Sequence, residues 1–306
     1  MAQEQLGVCA EANIHGLYLL FNANDDREGF IRQVLAKLPG LFDELGERFS
    51  EAMLCGLVAI GTSYWDVLYP NGRPALLKPF PAIQSEGYSM PGIPYDILIQ
   101  IRSDRADVNH LMGLQVIAMF ANAVELVEQI KGFRYLDGRD LTGFVDGTKN
   151  PVGVKKRQIA LVDKEDPDFS GGSYIHIQRY QHNLRRWEHL DVLDQEKVIG
   201  RTKIKNQEFA ESKKPLDCHI KRAAVIDEEG QPLQILRQSM PYGHMKAQGL
   251  FFISCCKTPE NFEKILTSMV KGDGHGNTDS LLNFTQAQSG AAFFAPSRTF
   301  LMKNGS

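Results

Sequence analysis

The sequence predicts an α+β protein, and three observations predict it. Apolar runs short enough to be strands alternate with longer stretches whose apolar residues recur at helical spacing. The order strand–helix–strand, then strand–helix, occurs in the first half of the chain and again in the second. In each half the first strand and the later strand that feeds the closing helix lie about 75–80 residues apart, the pattern of an internal duplication. A βαββαβ order is the ferredoxin-like unit. The expected architecture is therefore two ferredoxin-like units in tandem, of the dimeric α+β barrel type, with domains at 1–140 and 141–306. The seam falls near 135–155, in or beside a glycine-rich loop.

The elements follow in order. His15–Ala23 is a compact apolar run suited to a buried strand. Asn24, Asp25 and Asp26 supply helix-start chemistry ahead of Phe30, Ile31, Val34 and Leu38. Leu54–Tyr69 reads as a further strand-like segment. The stretch to Pro94, punctuated by Pro70, Gly72, Pro74, Pro79, Pro81 and Gly87, reads as loop. Asp96–Ile101 alternates as a strand, and Ser103–Asp107 caps a helix carrying Val108, Leu111, Met112 and Met119. In the second half, Gly172–Gln178 is a strand with Tyr174 and Ile175 on opposite faces. A helix-prone stretch starts at Asn183. Leu233–Leu236 and Gly249–Ser254 are strand-like, and Pro259 opens a helix containing Phe262, Ile265, Leu266 and Met269.

Composition narrows the function classes. A formal net charge of −3 gives no general attraction to nucleic acid or to an anionic membrane. No apolar run reaches the roughly 18 residues that span a bilayer. The stretch Met1–Ala10 has neither a basic start nor a long apolar core, so no export signal is read there. Cys9, Cys55, Cys218, Cys255 and Cys256 form no CxxC pair and no disulfide framework. Cys255 and Cys256 are adjacent in an apolar run, one toward a core and the other away. The expectation is a reduced, cytoplasmic protein.

Candidate chemistry starts in the loop Gly143-Phe-Val-Asp-Gly-Thr-Lys-Asn-Pro151, where glycines bracket one carboxylate, Asp146. Glycine lets a backbone approach a flat ligand closely or adopt positive φ. Asp-Gly and Asn-Pro are also ordinary turn signals, so composition alone reads a turn. Eight histidines are present, none in HExxH or at zinc spacing. A haem iron needs only one protein ligand, which spacing rules cannot detect.

Three segments taken together resemble the dye-decolourising peroxidases, most closely the compact cytoplasmic type. Gly143–Pro151 is similar to their GxxDG signature, Lys214-Pro-Leu-Asp-Cys-His-Ile-Lys-Arg222 to their proximal-histidine segment, and Ile235-Leu-Arg-Gln-Ser-Met-Pro-Tyr-Gly243 to their distal-arginine strand. Tyr180–Lys203 also matches closely. The resemblance spans nearly the whole chain and is densest from about 140 to 300. It implies haem b (iron protoporphyrin IX) held in the C-terminal half, with His219 as the iron ligand. Asp279, in Asp279-Ser-Leu-Leu-Asn-Phe284, is implied as the carboxylate partner of His219; a helix cap is the alternative reading. Asp146 and Arg237 are implied as the distal catalytic pair, with Ser239 two residues on and on the same strand face. Arg201 is implied as a haem-propionate partner, with a solvated basic turn as the alternative, and Gly147 as a point of close approach to the cofactor. Aromatics around Phe251, Phe252, Phe293 and Phe294 either wall the porphyrin or are core.

The activity implied is a peroxidase that reduces hydrogen peroxide through a ferryl intermediate and oxidises dyes, phenols or other one-electron donors. Donors too bulky to reach the haem suggest electron exit through a surface Tyr or Trp, such as Trp187 or Trp65. Two rival readings remain: a haem-handling protein, carrier or iron-releasing enzyme, with the same pocket, and a cofactor-free ferredoxin-like binder. Partners implied are hydrogen peroxide, a small reducing substrate and other copies of the chain, since ferredoxin-like sheets pair across subunits; neither nucleic acid nor membrane is expected.

Overall fold

The structure, a computed structural model, describes residues 2–85, 87–163 and 166–305. Met1, at the head of the stretch read for an export signal, lies outside them. In chain order the first half holds α1 (Leu6–Cys9), β1 (His15–Ala23), α2 (Glu28–Arg48), β2 (Cys55–Gly61), α3 (Trp65–Leu68), β3 (Ile83–Ser85), β4 (Tyr88–Met90), β5 (Ile97–Ser103), α4 (Ala106–Phe120) and β6 (Val124–Phe133). The second half holds α5 (Val154–Ala160), β7 (Ser173–His182), α6 (Leu184–Glu188), α7 (Val192–Ile199), α8 (His219–Ala223), β8 (Leu236–Arg237), β9 (Met240–His244), β10 (Ala247–Cys256), α9 (Glu260–Lys271), β11 (Thr285–Ala295) and α10 (Arg298–Lys303).

The pairing is that of two ferredoxin-like sheets. In the first half the strands lie in the order β2-β5-β1-β6, and in the second β11-β7-β10 followed by β8 and β9 along one edge of β10, all antiparallel. The two sheets join at both edges. Phe293 and Phe294 of β11 pair with Gly61 and Ile60 of β2, and Gly132 of β6 pairs with Tyr242 of β9. Because β7 also pairs with β10, the ring closes into a barrel, and among the described residues no long edge of it is left open. Expectation and topology agree on the fold class.

Strand periodicity assigns two destinations to each strand. Tyr18, Leu20, Leu98, Ile175, Ile177, Phe251 and Ile253 fill the barrel interior. The alternate residues face outward beneath helices. α2 presents Ile31, Leu35, Leu38 and Phe42 at helical spacing, and α4 presents Val108, Met112, Val116 and Phe120, to the outer face of the first sheet. α9 lays Phe262, Ile265, Leu266 and Val270 over the second sheet. Each such side chain, fully buried, contributes about 1.5–3 kcal/mol.

Several expectations change in detail. The segment 54–69 is not one strand: β2 ends at Gly61, and Trp65–Leu68 is a helical turn. The strand expected at 233–236 starts only at Leu236, and Met90, within the expected loop, belongs to a short hairpin of β3 and β4. Cys255 and Cys256 do face opposite ways, yet both are buried, since the barrel interior lies on one side and the α9 layer on the other. Trp65 and Trp187 are 0% and 2% exposed, so neither is a surface exit for electrons. Trp65 is packed among Tyr69, Phe169, Phe294 and Phe300.

Candidate active site

Beneath α9, on the outer face of the second sheet, lies a cavity of about 640 Å3 whose lining residues all come from positions 140–285. Its apolar walls include Phe252, Phe262, Ile265, Leu266 and Met269. Phe251, Phe293 and Phe294 do not line it. Phe251 and Phe293 point into the barrel, and Phe294 packs against Trp65 and Tyr174, which separates them from the Phe252 face by strand alternation or sheet position.

His219 is the first residue of α8 and looks into this cavity. Its Nδ1 is 2.7 Å from Asp279 Oδ2. A carboxylate only accepts, so Nδ1 carries the proton and the Nε2 lone pair is left toward the cavity. Asp279 is fully buried, and its other oxygen accepts from Leu281 N at 2.9 Å. It is therefore both the cap of the helical turn Ser280–Asn283 and the partner of His219; the two readings of this residue are compatible. Ser280 hydrogen-bonds Asp217 through both its N–H and its hydroxyl, tying the Asp279 segment to the residues just before α8. Burial opposes protonation of His219, but the Asp279 carboxylate outweighs it and holds the ring above its ordinary value.

The facing side is built by the loop and the β8–β9 strand. Arg237 and Ser239 share one face and line the cavity, while Gln238 between them turns inward to Gln100. Asp146 lines the same cavity and accepts from Gly147 N at 2.7 Å. Asp146 is exposed to solvent where it lines the cavity. Desolvation of its carboxylate by the protein packed around it raises its proton affinity above that of an ordinary aspartate, and the neighbouring Asp140 charge raises it further. Burial lowers the pKa of Arg237, with Asp146 opposing.

The loop is held by contacts that sequence reasoning missed. Asn150 clamps it to the arginine strand: its Nδ2 donates to Arg237 O at 2.8 Å and its Oδ1 accepts from Arg237 N at 3.0 Å. Trp187 Nε1 donates to Thr142 O at 2.9 Å, which is what this buried tryptophan does. Gly143 and Gly147 have φ of +87° and +69°. A Cβ on Gly143 would lie 2.6 Å from Lys203 Cε. Asp140 and His182 also line the cavity, bonded at 3.1 Å. The Asn-Pro signal was visible as a turn; its partner strand, 87 residues away, was not.

Arg201 is 8% exposed and lines the cavity, so it is not a solvated turn. Its Nη atoms reach Asn206 O at 2.6 Å and Glu208 at 3.3 Å, and its Nε is buried without a partner among the described residues. Among the described residues no group of three or more His, Cys, Asp or Glu side chains is placed to hold a metal ion.

This arrangement sets one imidazole lone pair against a carboxylate, a guanidinium and a hydroxyl across an apolar chamber. The family description "Dyp-type peroxidase, N-terminal" matches residues 5–134, and "Dyp-type peroxidase, C-terminal" matches residues 137–300. The chain belongs to the Dyp-type peroxidase family. A dye-decolorizing peroxidase of Mycolicibacterium paratuberculosis is 37% identical over 93% of this chain and 81% of its own. Among solved structures, one from Shewanella oneidensis, described as a dyp-type peroxidase protein, has 53% identity, covers 99% of each chain and gives a TM-score of 0.98. A DypB variant of Rhodococcus jostii RHA1 in complex with heme has 34% identity, covers 97% of each chain and gives a TM-score of 0.94.

Proposed function

We propose that this family member is a haem peroxidase that reduces hydrogen peroxide at the cavity and takes electrons from dyes, phenols or other one-electron donors. The observation that carries the reading is His219, bonded to Asp279 on one side and presenting Nε2 to a chamber lined by Asp146 and Arg237. The residues suit haem b. One ligand nitrogen is what its iron requires. The apolar walls suit a porphyrin, and the partnerless Nε of Arg201 suits a propionate. Haem supplies the redox centre at which the peroxide O–O bond is cleaved.

The protein's part is to place and move protons. Asp146, ionised, takes a proton from the incoming peroxide and returns it to the departing oxygen. The Arg237 guanidinium, lining the same cavity, stabilises the charge that develops there, and the Ser239 hydroxyl orients the peroxide. Asp279 holds the His219 ring in one tautomer and raises its basicity through Nδ1. The positive φ of Gly147 lets the loop backbone lie close to the ligand.

We carry forward a division of the chain near residue 140, supported by the two ferredoxin-like pairings. A homo-oligomer and a cytoplasmic location also belong to this reading, the latter supported by five free cysteines. Among the described residues no helix is long and apolar enough to cross a membrane.

The test is an absorption spectrum of the haem-reconstituted protein before and after one equivalent of peroxide, for the wild type and His219→Ala. The expected result is a Soret band that shifts with peroxide and is altered or missing in the variant. A Soret band indifferent to peroxide would sink the peroxidase reading.

A further inference from the structure

His182 stands in the wall between two spaces. On the inner side it lines the cavity with Asp140 and Asp146. On the outer side, with Thr285 and Leu282, it lines a surface groove of about 1030 Å3. Its side chain is only 5% exposed and is bonded at both ring nitrogens. Nε2 is 3.1 Å from Asp140 Oδ1, and Nδ1 is 2.8 Å from Thr285 Oγ1. Asp140 is built into the distal loop: its Oδ2 accepts from Thr142 N at 3.1 Å, and its backbone N–H donates to Phe144 O at 2.9 Å. Asp146 lies two residues beyond Phe144.

Resting on the peroxidase reading, we propose that His182 is a positioning residue that relays protons between the outer groove and the distal carboxylate Asp146, through Thr285 on one side and Asp140 on the other. The bonding fits the direction of transfer. An ionised carboxylate can only accept, so Nε2–H donates to Asp140 and Nδ1 takes the Thr285 hydroxyl proton. The step moves one proton and no electrons. A hydrated proton in the groove passes to the Thr285 hydroxyl, leaving water behind, and the hydroxyl's own proton passes to Nδ1. The Nε2 proton passes to Asp140 Oδ1 and from there, through cavity water, to Asp146.

The charged surroundings favour such a path over a static strut. Asp140 and Asp146 face His182 from the loop, with Arg237 across the cavity; Arg185, Arg186 and Lys246 line the groove. The Asp140 charge already raises the proton affinity of Asp146, so the two carboxylates sense each other. The peroxidase reaction consumes protons as it forms water, and Asp146 lines the chamber where they are used. An imidazole bonded at both ring nitrogens can take a proton at one and give one up at the other.

Two measurements test the relay. In the haem-loaded protein, His182→Gln keeps hydrogen-bonding groups but cannot shuttle a proton at neutral pH. The peroxide-driven Soret change should slow about tenfold or more, with a larger solvent deuterium effect, and free imidazole should restore part of the rate in His182→Gly. A wild-type rate in His182→Gln, or a slow variant with no imidazole rescue and an unchanged isotope effect, overturns the proposal; the latter would make His182 a strut. In haem-free protein, the infrared carboxyl band of Asp146, assigned with Asp146→Asn, is titrated in the wild type and Asp140→Asn. Its midpoint should fall when the Asp140 charge is removed, and an unmoved midpoint overturns the relay. Failure of the peroxidase reading would look different: the wild type itself would give no peroxide response.

Discussion

Replacing Asn150 with alanine removes the only side chain that ties the distal loop to the strand bearing Arg237 by a two-way bond, among the described residues. The native amide donates to Arg237 O at 2.8 Å and accepts from Arg237 N at 3.0 Å, both good hydrogen-bond lengths. Each such bond contributes about 0.5–1.5 kcal/mol net, so the pair is worth about 1–3 kcal/mol. Asn150→Ala should lose that much stability in urea unfolding. The kinetic effect should exceed the loss of stability, because Asp146 and Arg237 sit on the two sides of the clamp. A misplacement of the order of 1 Å at such a site costs up to about 100-fold in rate. Asn150→Asp gives a second point: it keeps the acceptor for Arg237 N but sets an oxygen against Arg237 O, so it should be damaged as well. Stopped-flow mixing of the reconstituted variants with peroxide measures the rate. If Asn150→Ala unfolds at the wild-type urea concentration and reacts at the wild-type rate, the loop is placed by something else and the reasoning fails.

Two further perturbations follow from the site. Asp146 binds its proton more tightly folded than unfolded, so its contribution to stability is present below its ordinary value and is lost as pH rises through its raised folded value. Asp146→Asn should therefore be more stable than the wild type at neutral pH while losing the acid limb of the peroxide rate. That limb should lie above the ordinary aspartate range in the wild type; equal unfolding midpoints across pH would contradict the assignment. Arg201→Ala should weaken haem binding by about tenfold to a hundredfold, the equivalent of one charge-assisted hydrogen bond of about 1.5–3 kcal/mol. A Soret titration of the haem-free variant measures it, and wild-type affinity would remove Arg201 from the cofactor site.

Much of this protein is determined locally and was legible in the sequence. Strand and helix periods identified β1, α2, α4 and α9, because each buries one regular set of side chains. The repeated strand–helix order pointed to paired ferredoxin-like units, since that order leaves few ways to form an antiparallel sheet. The motif around Asp146 and the segments of His219 and Arg237 were visible through resemblance, as contiguous runs of chemistry. Other features depend on contacts between distant segments. Alanine- and glutamine-rich β11 becomes a strand because β7 and β2 pair with it on both sides. Phe251 and Phe252 looked alike as neighbours, and only barrel closure sends one inward and the other to the cavity. Trp187 and Trp65 looked like exposed aromatics until packing buried them. The pairings His219–Asp279, Asn150–Arg237 and His182–Asp140 join residues 60, 87 and 42 positions apart. A one-dimensional pattern carries no record of such distances; the register of two joined sheets does.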